Sequence, residues 1–221
     1  MKFPTFKHEL KYLEEGYVFV AGCDEVGRAP LAGPVVAAAC ILNPKSISGK
    51  RTKNKWYFRV RDSKTTSEAE REVLVEKILK NTLAYGIGEV WQKDIDKLNI
   101  HNASLLAMRL ALQNMIKKMK RNKSSRPRRF VTLVDGRFLI PNLDTKLKIE
   151  QKFIVKGDSR VLSISAASII AKVHRDSIMK DLHIKFPKYG FASHKGYPTK
   201  KHRDAIKKFG ITPFHRKSFL K

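Results

Sequence analysis

Four carboxylates are the residues best suited to chemistry, and each stands at or shortly after the end of a strand-like segment. They are Asp24, Glu25, Asp135 and Asp158. An unpaired charge inside an apolar core costs several kcal/mol, so we expect a cation beside Asp24 and Glu25, either a basic side chain or a metal ion. Carboxylates with no histidine or cysteine companion are hard oxygen ligands, which favour Mg²⁺ or Mn²⁺ over zinc.

The elements that must position these carboxylates alternate between strands and helices. Apolar segments predict strands at Tyr17–Cys23, Pro34–Leu42, Leu83–Trp91, Phe130–Val134 and Lys148–Val155. Helical spacing of apolar residues predicts helices over about 67–82, 102–120 and 161–186. The Gly and Pro residues between the first two strands predict a tight turn and an antiparallel pair. This order is typical of one mixed-sheet α/β domain, here followed by a small C-terminal appendage.

Open α/β sheets build their sites where strands end, so the four carboxylates can meet at one place although they are far apart in the sequence. The chain carries 46 Lys and Arg against 20 Asp and Glu, a net charge of +26. An acidic cluster would repel the polyanion that this charge attracts unless metal ions neutralised it. Two-metal phosphoryl hydrolysis has this arrangement: one ion activates the attacking water and the other stabilises the leaving oxygen. The alternative for any single Asp after a strand is a turn or helix cap.

The positive charge predicts a polyanionic partner. Nucleic acid is favoured over an anionic membrane because no amphipathic anchor helix is evident, and solubility alone is the alternative. The basic segments 43–64 and 117–129 fit either nucleic-acid contact or solvated loops. Cys23 and Cys40 lie in apolar segments without a C-x-x-C spacing, which indicates core residues rather than a disulfide or zinc pair. No signal peptide or membrane-length apolar segment is visible, so we expect a soluble, cytoplasmic protein.

Eight segments form a second, more specific pattern. They are 23–39 (Cys-Asp-Glu-Val-Gly-Arg-Ala-Pro-Leu-Ala-Gly-Pro and the apolar residues after it), 61–64, 96–100, 134–136, 156–159, 165–176, 189–199 and 215–219. In this order they resemble the motifs of the type 2 ribonucleases H (ribonuclease HII). The resemblance covers residues 17–219.

The resemblance implies a ribonuclease H-like fold, a five-stranded mixed sheet flanked by helices. The change in composition at Pro187 predicts the boundary between a catalytic domain over 1–186 and a small helical, basic, substrate-binding appendage over 187–221. The resemblance further implies an endoribonuclease that hydrolyses RNA in RNA–DNA hybrids. It also implies cleavage on the 5′ side of a ribonucleotide embedded in duplex DNA, leaving a 3′-hydroxyl and a 5′-phosphate. The catalytic residues, which would bind two Mg²⁺ or Mn²⁺ ions, are then Asp24, Glu25, Asp135 and Asp158.

The same resemblance implies which residues bind substrate. Gly27, Arg28 and Ala29 match the segment whose backbone contacts the ribose 2′-hydroxyl and nearby phosphates. Tyr197 matches the tyrosine that packs on the sugar next to the ribonucleotide. These contacts are chemically sensible, because the 2′-hydroxyl is the group that distinguishes RNA from DNA. Lys64 matches a position near the substrate phosphates, where a phosphate contact and a surface ion pair are the alternatives.

Ala29 departs from the family pattern, which has glycine at this position. A Cβ here can obstruct close approach of the ligand, or cost roughly 1 kcal/mol if the backbone requires a positive φ. The carboxylates are intact, so we expect hydrolysis to survive and junction recognition to be weakened. The alternative functions are a hybrid nuclease with weak junction specificity, as in type 3 ribonucleases H, and a non-catalytic nucleic-acid-binding protein.

Other polar residues have structural interpretations. Lys172, Arg175 and Asp176 are spaced for mutual ion pairing on one helix. Asp94 and Asp96 flank Ile95 and are expected in a loop, as turn or cap residues.

Two histidines, His194 and His202, lie close in sequence to Tyr197. Each could approach the nucleic-acid backbone, or be a hydrogen-bonded residue of the surface or core. We expect a monomer that binds RNA–DNA hybrid and ribonucleotide-containing duplex DNA but no membrane. The sequence identifies no clamp-type recruiting partner.

Overall fold

The computed structural model describes residues 3–47, 52, 55–60, 66–119, 129–143 and 148–220. Five strands form one mixed sheet: β1 (Phe19–Val26), β2 (Val35–Leu42), β3 (Thr82–Val90), β4 (Phe130–Asp135) and β5 (Ile149–Ile154). Their order across the sheet is β3-β2-β1-β4-β5. β2 is antiparallel to both of its neighbours, β1 and β3, whereas β4 is parallel to both β1 and β5. The predicted α/β class with a five-stranded mixed sheet is confirmed.

The described residues form these α-helices: α1 (Lys7–Glu14), α2 (Glu68–Lys80), α3 (Gln92–Leu98), α4 (Ile100–Lys118), α5 (Leu162–Lys185), α6 (Phe191–His194) and α7 (Lys200–Phe209). The predicted start of α2 is confirmed, because the Ser67 hydroxyl accepts the N–H of Glu70. None of the helices is both long and apolar enough to cross a bilayer.

The two long helices, α4 and α5, cover opposite faces of the sheet, and alternate residues of each strand face different helices. In β1, Ala21 and Cys23 pack in the apolar cluster formed with α4. Gly22 lies on the other face, where an added Cβ would be 2.2 Å from the Ser163 carbonyl carbon of α5. Cys40 lies in the cluster formed with α5, and both cysteines are buried and free. The even-numbered residues of β1 therefore face α5.

Two predictions about the first hairpin are wrong. β1 does not end at Cys23 but continues through both acidic residues, because β2 pairs with it as far as Val26 opposite Val36. The connection is not a tight turn. Residues 27–34 form a longer segment that contacts the C-terminal residues through a bridge between Ala32 and His215.

The predicted loop around Asp94 and Asp96 is also wrong, since both residues lie in α3. The interpretation of Asp96 as a cap is nevertheless correct. Its carboxylate accepts the N–H groups of Lys217 and Ser218 at 3.0 Å, at the start of the final 3-10 helix Lys217–Phe219. A seven-residue helix gives too short an apolar repeat to be recognised from sequence.

The C-terminal residues pack against α5 and the 27–34 segment. A small cluster joins Ala32 and Met179 to Tyr189, Phe191 and the buried face of α7. This apolar contact fixes the C-terminal residues next to the end of β1. The division at residue 186 stays a prediction.

Glu9 of α1 is a buried carboxylate that accepts the Ser163 N–H at 2.7 Å, at the N-terminal end of α5. Burial raises its pKa to about 7. Because the folded state then binds this proton more tightly than the unfolded state, the free energy of unfolding should fall as pH rises from about 4.5 to about 7.

We expect Glu9→Gln to remove this fall, since the amide keeps an acceptor for Ser163 without a charge. Thermal unfolding between pH 4 and pH 8 tests this. The two proteins should be equally stable at pH 4, and the variant should be more stable at pH 8 by up to about 3 kcal/mol. Parallel curves over the whole range would contradict the assignment.

Candidate active site

The sheet register places Asp24 and Asp135 side by side. β1 and β4 are parallel neighbours in which Cys23 pairs with Val134, so the next residue of each strand lies at the same level. Side chains at equal levels of parallel strands point to the same face, and neighbouring strands are about 4.8 Å apart. Both carboxylates therefore lie at the carboxyl ends of the central strands, on the α5 face. Asp24 also accepts hydrogen bonds from the Glu25 N–H at 2.7 Å and from Ser168 of α5.

Asp158 reaches the same edge from the segment that follows β5. Lys156 adopts the left-handed conformation, with φ +55°, and turns the chain into the short 3-10 helix Gly157–Ser159 that contains Asp158. The N–H of Gly157 donates to the Asp135 carboxylate at 2.6 Å. This bond fixes the Asp158 segment against the end of β4.

Glu25 occupies the other face of the pleat, at the very end of the sheet. Its carboxylate pairs with the Arg28 guanidinium at 3.2 Å, so the Arg28 side chain turns back toward the acidic residues. The sequence predicted a basic side chain or a metal ion beside Asp24 and Glu25, and Arg28 supplies the first for Glu25. Asp24 has no such cation among its described contacts.

The four carboxylates interact electrostatically. Burial, then Glu25 and Asp135, raise the pKa of Asp24 well above its usual range, and Asp158 adds to this effect. Burial and the Asp158 charge raise the pKa of Asp135, against hydrogen bonds that lower it. Burial raises the pKa of Glu25 although Arg28 opposes the shift. Uncompensated, this group of like charges destabilises the fold.

The donor set fits divalent ions that prefer oxygen ligands. It consists of carboxylates alone, and Asp24 is 5% exposed with like charges around it. A divalent cation would therefore offset both the cost of burying the Asp24 charge and the repulsion between the carboxylates. Across the described ranges, no three acidic, histidine or cysteine side chains form a closed set of metal ligands. The carboxylates thus share one edge of the sheet without a preassembled cage, as expected for charges that repel each other.

Residues 27–29 follow these carboxylates directly. Gly27 has φ +90°, and an added Cβ would lie 2.3 Å from Nε of Arg175, so this position requires glycine. Ala29 is exposed and does not belong to the residues with positive φ. The predicted conformational cost of Ala29 is therefore wrong, and the effect left to its methyl group is obstruction of a ligand.

Tyr197 is 39% exposed and follows a segment that packs on residues 27–34. The Leu31 N–H donates to the Gly196 carbonyl at 2.8 Å, and a Cβ on Gly196 would lie 2.6 Å from the Ala32 oxygen. The structure thus places Tyr197 beside the loop that contains Gly27, Arg28 and Ala29.

Two histidines hold the Tyr197 carbonyl through a chain of hydrogen bonds. The Thr212 N–H donates to Nδ1 of His215 at 2.8 Å, so Nε2 of His215 carries the proton and donates to Nε2 of His202 at 3.1 Å. His202 Nδ1 is then the donor to the Tyr197 carbonyl at 2.9 Å. Burial lowers the pKa of His215 to about 4 and that of His202 below its usual value. His194 is also bonded internally, to the Tyr189 carbonyl at 2.7 Å.

The predicted ion-pair network on α5 is correct only in part. Lys172 pairs with Asp176 at 2.6 Å, and Arg71 of α2 pairs with the same carboxylate at 3.3 Å. Arg175 instead points to the opposite side and bonds main-chain carbonyls of the 27–34 segment. No sequence pattern marks an arginine that binds carbonyls from distant segments, so this role of Arg175 was not predicted. Lys64 lies outside the described residues.

Solved structures share this architecture. The crystal structure of ribonuclease H2 from Pyrococcus horikoshii OT3 matches 90% of this chain and 92% of its own, with a TM-score of 0.64 and 27% identity. A ribonuclease HIII structure described as a complex with Mn²⁺, named Bst-RNase HIII, matches 88% of this chain and 64% of its own, with a TM-score of 0.63 and 16% identity, a likeness of fold alone. The fold and the four carboxylates at one edge of the sheet together define a hydrolase of the ribonuclease H class.

Sequence relatives narrow this class. The family profile described as Ribonuclease HII matches residues 21–221. Ribonuclease HII of Clostridioides difficile is 49% identical over 94% of this chain and 72% of its own. That of Desulfotalea psychrophila is 46% identical over 92% of this chain and 81% of its own. The chain belongs to the ribonuclease HII family, which confirms the resemblance seen in the sequence. Because this is a family of enzymes, the alternative of a non-catalytic binding protein is excluded.

Proposed function

We propose that this chain hydrolyses RNA in RNA–DNA hybrids and cuts on the 5′ side of a ribonucleotide embedded in duplex DNA, leaving a 3′-hydroxyl and a 5′-phosphate. The observation that carries the proposal is that the carboxylates and the backbone of residues 27–29 lie next to each other. Asp24 and Asp135 are adjacent at the ends of parallel strands, and the 27–29 backbone begins two residues after Glu25. A scissile phosphate at the carboxylates would therefore have its ribose at this backbone.

Metal binding belongs to the proposal. Asp24, Glu25, Asp135 and Asp158 would hold two divalent ions, Mg²⁺ or Mn²⁺. When bound, such ions supply an activated water and stabilise the leaving oxygen. The protein's own contribution is to hold the carboxylates in place: Gly157 fixes Asp135, and Arg28 orients Glu25 and opposes the rise in its pKa.

Substrate specificity would come from the residues beside the carboxylates. The backbone of Gly27, Arg28 and Ala29 would contact the 2′-hydroxyl and neighbouring phosphates, and Tyr197 would pack on the adjacent sugar. Lys64 would contribute a phosphate contact. A deoxyribose lacks the 2′-hydroxyl, so it would leave the polar backbone groups of this segment without their partner.

The remaining expectations complete the proposal. The net charge of +26 supports nucleic acid as the binding partner, because neutralised phosphates release counterions. We place the reaction in the cytoplasm, where the two free buried cysteines stay reduced. The chain would act as a monomer, with residues 187–221 as the basic substrate-binding part. A recruiting clamp is not assigned.

The test compares three duplexes in Mg²⁺ and in Mn²⁺: DNA with one ribonucleotide, a long RNA–DNA hybrid, and DNA alone. We expect the protein to cut the first two and not the third. Asp135→Asn should be inactive on all three, whereas Asp181→Asn, a change of an exposed carboxylate on α5, should match the unchanged protein. No cleavage of either ribonucleotide-containing duplex, or full activity of Asp135→Asn, would overturn the proposal.

Ala29→Gly tests the one departure from the family pattern. Removing the exposed methyl group should raise cleavage at a single embedded ribonucleotide severalfold more than cleavage of a long hybrid. The added backbone freedom should lower the free energy of unfolding by roughly 0.5–1 kcal/mol, since Ala29 has no positive-φ strain to relieve. Initial rates on the two substrates and a urea unfolding curve provide the measurements. An equal change on both substrates would contradict a role of this position at the junction.

A further inference from the structure

Two buried arginines converge on residues 27–34. Arg175 is 1% exposed and Arg216 is fully buried, yet their described hydrogen bonds go to main-chain carbonyls. Burying two such charges is unfavourable. Burial lowers the pKa of Arg175 to about 10, and burial and the neighbouring Arg175 lower the pKa of Arg216 to about 9, so both groups are still charged at neutral pH. A fold that keeps two costly charges under one loop uses them to hold that loop.

Five carbonyls of the loop accept from these two guanidinium groups. Arg216 donates to the oxygens of Gly27 at 2.7 Å, Arg28 at 2.9 Å and Gly33 at 2.9 and 3.0 Å. Arg175 donates to the oxygens of Pro34 at 2.9 Å and Ala32 at 3.2 Å. The loop carbonyls are thereby directed toward the protein interior.

The direction of the carbonyls fixes the direction of the N–H groups. In a trans peptide the C=O of one residue and the N–H of the next point opposite ways, and none of the described peptide bonds is cis. Arg216 binds the Gly27 and Arg28 oxygens, so the N–H groups of Arg28 and Ala29 point away from the interior. Within the described chain these two N–H groups have no protein partner, whereas those of Leu31 and Gly33 are bonded to Gly196 and Phe214.

Arg175 also connects the segment that contains Tyr197 to the 27–34 loop. Its third hydrogen bond goes to the Lys195 carbonyl at 2.9 Å, two residues before Tyr197. The Tyr197 side chain lies near both Arg175 and Arg216. One guanidinium therefore sets the distance between the 27–34 loop and Tyr197.

We infer that Arg175 and Arg216 are positioning residues for ribose recognition. Arg216 directs the N–H groups of Arg28 and Ala29 toward the 2′-hydroxyl and adjacent phosphate oxygens. Arg175 holds the end of the loop, at Ala32 and Pro34, and keeps Tyr197 in register with it. This inference rests on the proposed function. It assigns specificity at the junction to two residues that do not touch the substrate themselves.

The test uses Arg175→Lys and Arg216→Lys, which keep the charge but lose the planar set of donors. The matched control is Arg71→Lys, a change of another buried arginine, which donates to the Thr66 carbonyl and to Asp176. We measure kcat/KM on the duplex with one ribonucleotide and on the long hybrid. Both test variants should lose tenfold or more on the first substrate relative to the second, while the control changes both substrates by the same factor.

Combining these changes with Tyr197→Ala distinguishes a positioning role from a general loss of structure. In Tyr197→Ala, the selective loss caused by Arg175→Lys should become smaller, because Tyr197 is one of the two features that Arg175 holds in place. The metal-induced rise in melting temperature should be unchanged in Arg175→Lys and Arg216→Lys, since the carboxylates are held by other contacts. Equal losses on both substrates, matching the control, would overturn the inference.

Amide hydrogen exchange tests the inference without a lysine variant, in case those variants do not fold. In the free, unaltered protein the amides of Leu31 and Gly33 should be protected, whereas those of Arg28 and Ala29 should exchange fast. In the inactive variant Asp135→Asn, the exchange of the Arg28 and Ala29 amides should slow down when the single-ribonucleotide duplex is bound. Protection of the Arg28 and Ala29 amides in the free protein would overturn the inference. If the unaltered protein cuts neither substrate, the proposed function fails; if it cuts both but the lysine variants are not selective, only this inference fails.

Discussion

Asp24→Asn is expected to abolish cleavage and to make the protein more stable in EDTA. Asn keeps the shape of Asp24 and an acceptor for the Glu25 N–H, but it removes one of several like charges at a residue that is 5% exposed. Two charges several Å apart at an effective dielectric constant of about 20 repel by a few kcal/mol. We therefore expect a gain of roughly 1–3 kcal/mol in the free energy of unfolding, measured by urea titration in EDTA.

The cleavage rate of Asp24→Asn and its stabilisation by metal ions should both decrease. Loss of a metal ligand removes several kcal/mol of transition-state stabilisation, which corresponds to about a thousandfold in rate. Mg²⁺ should raise the melting temperature of the unaltered protein more than that of Asp24→Asn, because a ligand stabilises only the state that binds it. Asp181→Asn should change neither property. A less stable Asp24→Asn protein in EDTA, or one that retains activity, would contradict the conclusion that the four carboxylates repel each other and bind catalytic metal ions.

Gly27→Ala is expected to have the second largest effect. The residue has φ +90°, and its Cβ would lie 2.3 Å from Nε and 2.6 Å from Cδ of Arg175. Strain and overpacking together should cost roughly 2–5 kcal/mol of stability. Displacement of Arg175 should also move the loop, so activity on the single-ribonucleotide duplex should fall further than activity on the hybrid.

Gly210→Ala separates the two causes. Gly210 also has a positive φ, +75°, but an added Cβ meets nothing within 4 Å, so this variant should lose only the cost of backbone strain, about 1–3 kcal/mol. Urea unfolding of both variants provides the comparison. Equal losses at the two positions would show that contact with Arg175 contributes nothing.

The sequence sufficed for the strands and long helices because their apolar repeats are long and clear. Apolar residues at helical spacing predicted the helix over about 67–82, and the four carboxylates came at or shortly after the ends of strand-like segments. The position of Asp24 inside β1, by contrast, depends on pairing with β2 out to Val26. Such pairing is a tertiary contact that no local pattern reveals.

The residues that support the site were the least predictable. Arg175 sits three positions from Lys172 and one from Asp176, so helical spacing favoured an ion pair; packing turned it toward carbonyls on another segment. The cost assigned to Ala29 depended on a backbone angle that only the structure supplies. His202 and His215 are bonded across 13 positions, and nothing in the sequence indicates which ring nitrogen carries the proton.

The most direct test of the whole account is to map the cut on a duplex with one ribonucleotide. Hydrolysis by a water held at the carboxylates predicts a single nick on the 5′ side of the ribonucleotide, with a 3′-hydroxyl on the deoxynucleotide and a 5′-phosphate on the ribonucleotide. A nick on the 3′ side that leaves a 2′,3′-cyclic phosphate would mean that the 2′-hydroxyl is the nucleophile. That result would contradict both the role of the four carboxylates and the role of residues 27–29 in ribose recognition.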